Sequence, residues 1–215
     1  MAPILLTCII GCGDDYERGS LEEARIFSVG DSIFEWNLWE RASAPEILGE
    51  DLELPVYNAA ISGAMMTDDS PHSIPNQYVT GDWDWLVMDG GANDLNERCG
   101  CSGCEALQDE LEDVFRSFVQ ERLAEGVSVA IWGYYGLPSD ASYGFDRCGE
   151  ELEELGRRQQ LLAESDPGII WVDGSLEITG EDSAAFDEDK LHPSMEGSQR
   201  IGRQLAEAIQ AEAGF

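Results

Sequence analysis

Five short apolar runs separated by longer amphipathic ones constrain this chain more than any other feature of its sequence. Residues 24–29, 56–60, 85–89, 127–132 and 169–172 are too short for core helices and have the apolar continuity of strands buried on both faces. Between them the spacing predicts helices over 33–50, with a break expected at Pro45, and over 105–125, 150–165 and 194–211. The last of these carries Ile201, Leu205, Ala208 and Ile209, a stripe at i, i+4, i+7, i+8 that would cover one sheet face. Strands alternating with helices imply right-handed crossovers. The expected fold is therefore α/β, a three-layer α/β/α sandwich around a five-stranded parallel sheet. Ligands of such sheets bind beyond the carboxyl ends of the strands.

A chain of 215 residues suits one domain with a sizeable core, and a 43% apolar content with six Trp, six Tyr and seven Phe argues against disorder. Its formal net charge of −32, from 44 acidic and 12 basic residues, repels phosphate backbones and anionic membrane surfaces. No nucleic-acid partner is expected. Lys190 is the one lysine, and the acids are spread along the whole chain. Adaptation to high ionic strength and a GC-rich genome favouring arginine both account for this pattern.

Residues 2–10 are an apolar run too short to span a bilayer and of the length of a signal-peptide core. The run leads into Gly11-Cys12, and Ile9-Ile10-Gly11-Cys12 resembles the lipobox of bacterial lipoproteins, whose cysteine is lipidated. That resemblance implies an exported protein, periplasmic or in the cell envelope of a bacterium, with membrane attachment through a lipid on Cys12. No Lys or Arg precedes the run, and a buried N-terminal strand is the alternative. The organisation expected is a signal or lipoprotein segment at 1–13, a flexible linker at 14–24 and one domain over 25–215. Cys8 and Cys12 aside, Cys99, Cys101, Cys104 and Cys148 remain. An even number in an exported chain suggests two disulfides, with three possible connectivities. A zinc site is the alternative, though the C-x-C-x2-C spacing is unlike common zinc modules.

Gly30-Asp31-Ser32 follows the first strand, Ser62-Gly63 the second and Gly91-Ala92-Asn93-Asp94 the third, while Asp189-Lys190-Leu191-His192 precedes the last helix. A serine, a histidine and a carboxylate converging on one sheet edge suggest nucleophilic catalysis, because the hydroxyl needs a base and the base an orienting partner. His72 and His192 are the two histidines, and His72 lies in a proline-flanked loop. In these four blocks, in this order, the sequence resembles the SGNH hydrolases, also called the GDSL esterase and lipase family, over roughly residues 25–205. No Gly-x-Ser-x-Gly is present.

The resemblance implies a flavodoxin-like sandwich and a serine esterase needing no cofactor or metal. It implies Ser32 as nucleophile, His192 as general base and then acid, and Asp189 as its orienter. The oxyanion hole it implies combines the backbone N–H groups of Ser32 and Gly63 with the side-chain amide of Asn93. Asp187 and Glu188 are alternative orienters off the family spacing, and Asp31 and Asp94 are expected to cap turns.

Two loops, 95–104 and 133–148, leave the same sheet edge and carry the four cysteines. One bridge within Cys99, Cys101 and Cys104 and one to Cys148 would fasten them together over the acyl pocket. Trp36, Tyr134 and Tyr135 are candidate substrate contacts, with Tyr143 and Phe145 nearby, while Trp39 is expected in the core. No basic cluster is present to grip an anionic head group, which favours small neutral esters as substrates; a monomer is expected. Carbohydrate O-acetyl esters, lysophospholipids and thioesters are the alternatives, and an envelope-binding module that kept the fold is the non-enzymatic one.

Overall fold

The computed structural model of the chain describes residues 18–213. The sheet comprises β1 (Ile26–Val29), β2 (Val56–Asn58), β3 (Trp85–Met88), β4 (Ser128–Gly133) and β5 (Ile169–Asp173), in the order β2-β1-β3-β4-β5. Every pairing is parallel, as the apolar runs imply. β1 and β3 are buried along their whole length at the centre.

Side chains alternate between the two faces. Phe27, Val29, Leu86, Met88, Val129 and Ile131 face α5 (Glu105–Ala124) and α6 (Gly149–Glu164). Ile26, Trp85, Val87, Ala130 and Trp132 face α1 (Ser32–Glu35), α2 (Ala44–Leu52) and α7 (Met195–Ala213). Ile201, Leu205 and Ile209 of α7 are fully buried, as their spacing predicts, with Ala208 half-buried beside them. The chain winds outward from β1 to β2 over one face and from β3 to β5 over the other. That reversal leaves a crevice between the carboxyl ends of β1 and β3.

The helix expected over 33–50 is two helices, and the break does not fall at Pro45. The chain leaves α1 at Trp36, where ψ is 142°, and turns through left-handed residues at Asn37 and Arg41. Pro45 instead lies in the first turn of α2, where its missing N–H is harmless. Ser43 precedes it, and both its backbone N–H and its hydroxyl donate to Glu46 Oε2, at 3.1 and 3.0 Å. Trp39 falls in the turn and is 69% exposed, not in the core as expected. Two further short helices, α3 (Ile74–Gln77) and α4 (Ala92–Asp94), and the 3-10 segment Ser142–Arg147 occupy stretches read as loops.

Within the stretch expected to be a linker, the described residues begin at Arg18. Arg18 donates to the carbonyls of Asn58 and Ala60, both at 2.9 Å, and pairs with Glu35. Cys12 and the apolar run before it lie outside the described residues. Cys99 bonds Cys104 and Cys101 bonds Cys148, one bridge within the cluster and one across to the second loop, as the loop argument expects. All four cysteines are thereby used as disulfide partners, not as zinc ligands.

Candidate active site

Ser32 is the first residue of α1, immediately beyond β1. Asp31 caps that helix by accepting the Ile33 N–H at 3.0 Å. Gly30 is gripped on both sides by Gln77: its N–H donates to Oε1 at 2.8 Å and its carbonyl accepts from Nε2 at 2.9 Å. A Cβ at Gly30 would lie 2.2 Å from Asp89 Oδ1, so the strand end can approach that carboxylate only as glycine. The serine therefore stands on backbone fixed by neighbours distant in sequence.

His192 comes from the tight turn before α7. Asp189 Oδ1 accepts the backbone N–H groups of Leu191 and His192, each at 3.0 Å, and Lys190 takes the left-handed conformation inside the turn. The same carboxylate's Oδ2 lies 2.5 Å from His192 Nδ1, and His192 Nε2 lies 2.9 Å from Ser32 Oγ. Burial pushes the Asp189 carboxyl up, but the hydrogen bonds from His192 and Leu191 outweigh it and hold the group below the usual carboxylate range. A hydroxyl, an imidazole and a carboxylate in this series can move a proton off the serine.

Asn93 reaches the crevice from α4, beyond β3. Its Nδ2 donates to the Ala64 carbonyl at 3.0 Å and more weakly to Asp31 Oδ2 at 3.4 Å. Gly63 has φ of +77°, which favours glycine, and open space where a Cβ would be. Its loop is held on one side by the Ile61 N–H on the Gly30 carbonyl, at 3.1 Å. On the other, Asp94 accepts the N–H groups of Met66 and Thr67 at 2.9 and 3.0 Å, the loop-bonding role expected of it.

The remaining candidates divide. Trp36 lies against His192 with its Nε1 on Asp187, so Asp187 serves the indole and Asp189 alone meets the imidazole. Glu188 donates its backbone N–H to Asp187 Oδ1 at 2.7 Å. Tyr134 and Tyr135 line the space beside Ser32, but their hydroxyls are taken by the protein. The Tyr134 hydroxyl donates to Asp31 Oδ2 and that of Tyr135 to the Leu191 carbonyl, both at 2.6 Å. Tyr143 is exposed beside His192, Phe145 is buried and His72 is exposed in its loop.

Asp31 does more than cap a turn. Buried, it receives Ile33, Tyr134 and Asn93, and its own N–H donates to Asp89 Oδ1 at 2.7 Å. Burial raises its carboxyl above the ordinary range, and burial together with the nearby Asp31 charge raises Asp89 well above it. Burial and the same two carboxylates push the Tyr134 hydroxyl well up, which keeps it a donor. An apolar run ending in aspartate hints at Asp89; the Tyr134 contact has no signal in the sequence.

Among solved structures the fold is similar to a carbohydrate acetylesterase from Sinorhizobium meliloti, at 14% identity and a TM-score of 0.67 over 87% of this chain and 99% of that one. It is also similar to a catalytic mutant of an acetylxylan esterase from Geobacillus stearothermophilus, at 20% identity and 0.62 over 89% and 94%. A third is a carbohydrate esterase family 2 enzyme with a carbohydrate binding domain from Corynascus thermopiles, at 16% and 0.66 over 90% and 67%. Identities this low carry the fold alone. No curated protein matches the chain significantly. The GDSL-like Lipase/Acylhydrolase family, however, matches over residues 28–200, from the middle of β1 into α7, and the chain belongs to that family.

Proposed function

We propose that the chain is a serine esterase that hydrolyses small acyl esters through an acyl-serine intermediate. The observation that carries this reading is the unbroken series from Ser32 Oγ to His192 Nε2 at 2.9 Å and from His192 Nδ1 to Asp189 Oδ2 at 2.5 Å. Ser32 Oγ attacks the ester carbonyl carbon while His192 takes its proton. As the tetrahedral adduct collapses, the carbon–oxygen bond to the alcohol breaks and His192 returns the proton to that oxygen. A water then repeats the sequence on the acyl-serine, freeing the acid and Ser32.

The charge on the carbonyl oxygen would be met by the Ser32 and Gly63 N–H groups and by Asn93, each such donor stabilising the transition state by about 3 kcal/mol. The weak 3.4 Å contact to Asp31 is the one Asn93 would give up, keeping the 3.0 Å bond to Ala64 as its anchor.

The cavity beside Ser32 has a volume of about 20 Å³, walled by Ile33, Ala92, Leu137, Phe145 and Leu191. That is room for about one water or a methyl group. Acetyl esters are therefore the acyl class we assign, and the acetyl esterases among the structural relatives support carbohydrate O-acetyl esters as the more specific form. Export with a lipid on Cys12 belongs to the same reading, supported by two disulfides that would persist in an oxidising compartment.

The test is hydrolysis of p-nitrophenyl esters from acetyl to dodecanoyl by the chain and by Ser32→Ala. Activity on the shortest esters that vanishes with Ser32 is expected. A long-chain optimum would overturn the acyl assignment, and activity surviving in Ser32→Ala would overturn the mechanism.

A further inference from the structure

Trp36 follows Ser32 by four residues, one turn along, and its backbone N–H donates to the Ser32 carbonyl at 2.9 Å. Its indole lies flat on the His192 imidazole, with ring centroids 3.8 Å apart and planes 5° from parallel. Its Nε1 donates to Asp187 Oδ2 at 3.0 Å. Asp187 belongs to the loop that carries the histidine, and its own N–H donates to the His192 carbonyl at 2.9 Å. The indole is thus fixed at two points, by the helix that presents Ser32 and by the loop that presents His192.

A π face is electron-rich and attracts a cation, indole more strongly than phenyl. A neutral imidazole draws little from that attraction. Taking the proton from Ser32 turns the His192 ring into a cation, so the contact strengthens as the reaction proceeds and favours the transition state.

We propose that Trp36, anchored by Asp187, is a positioning residue that holds the His192 ring in register with Ser32 and stabilises it in its protonated form. Three other titratable groups face that ring. Asp189 meets it within its own turn, Asp31 bears on it from the end of β1, and the Tyr143 ring lies 6.2 Å away and tilted by 58°, while Asp187 lies at the indole edge on Nε1. The kinetic side of the proposal rests on the esterase reading; the titration of the ring does not.

The experiment is an NMR titration of the two imidazoles in the chain, in Trp36→Leu and in Trp36→Phe, with exposed His72 as internal reference. In Trp36→Leu the His192 midpoint is expected to move to lower pH by about half a unit to one unit, with His72 unmoved, and Trp36→Phe to move it less. Loss of mere cover would act oppositely, since water reaching the imidazolium raises the midpoint. An upward or unchanged midpoint therefore overturns the proposal. With p-nitrophenyl acetate, kcat should fall about threefold to tenfold while KM stays within about twofold. A raised KM with unchanged kcat would make Trp36 a substrate contact and also overturn it. Where Trp36→Leu fails to fold, Trp36→Phe decides: a smaller shift to lower pH supports the proposal, and an upward or unchanged midpoint overturns it. If Ser32→Ala shows the esterase reading to be wrong, the titration still answers for the stack.

Discussion

The two disulfides close loops of very different length, 47 residues for Cys101–Cys148 and 5 for Cys99–Cys104. A bridge that acts by restricting the unfolded chain contributes stability that grows with the logarithm of the loop it closes. At 25 °C this amounts to about 4 kcal/mol for the longer loop and about 2 kcal/mol for the shorter one. The perturbation is removal of each bridge by paired substitution, Cys101→Ala with Cys148→Ala, or Cys99→Ala with Cys104→Ala. Alanine is the right replacement because Cys101, Cys104 and Cys148 are buried among apolar side chains, where a serine hydroxyl would add its own cost. Urea unfolding followed by tryptophan fluorescence reads the difference. The Cys101–Cys148 variant should lose about twice as much as the other, and a reductant should bring the parent below both. Equal losses, or a larger loss from the short loop, would refute the reasoning and place the bridges' contribution in the folded packing.

Three more outcomes follow from the site and its surroundings. On the proposed mechanism the Asn93 amide meets charge that exists only in the transition state, so Asn93→Ala should lower kcat about 100-fold to 1000-fold with little change in KM; a KM effect with kcat preserved would contradict this. Asp89, raised well above the ordinary carboxylate value by burial and by Asp31, is stabilising in its protonated form, fully so below the unfolded value. That contribution is lost as pH rises through the folded value, so stability should fall over that interval and fall less in Asp89→Asn, which keeps an oxygen for the Asp31 N–H; parallel urea midpoints against pH in the two proteins would refute it. Finally, a net charge of −32 makes self-repulsion a destabilising term that salt screens, so the urea midpoint should rise from low to molar NaCl, and a flat response would show the acids already compensated.

What the sequence made legible is what depends on neighbours along the chain. The five strands announce themselves because a strand buried on both faces must be apolar throughout, and α7 because its stripe repeats over several turns. The Asp189–His192 contact is legible for the same reason: the partners stand three positions apart in the chain, and one tight turn brings Nδ1 to the carboxylate. Helices of three or four residues such as α3 and α4 complete too few turns to show a period. The two tryptophans after Ser32 defeat sequence reasoning differently. Three residues apart, Trp36 and Trp39 would share a face on one continuous helix, but α1 ends at Glu35 and the left-handed Asn37 lies between them, so one reaches His192 and the other reaches solvent. Tyr134 and Tyr135 are adjacent at the end of β4, where successive side chains leave opposite faces of the sheet. One hydroxyl therefore goes to Asp31 and the other to Leu191, and composition alone makes them equivalent. The residues that refine this site, Trp36, Tyr134 and Gln77, each act on a partner brought near by the crossing of distant segments. The sheet order that creates those crossings is set by the whole core, and no local spacing encodes it.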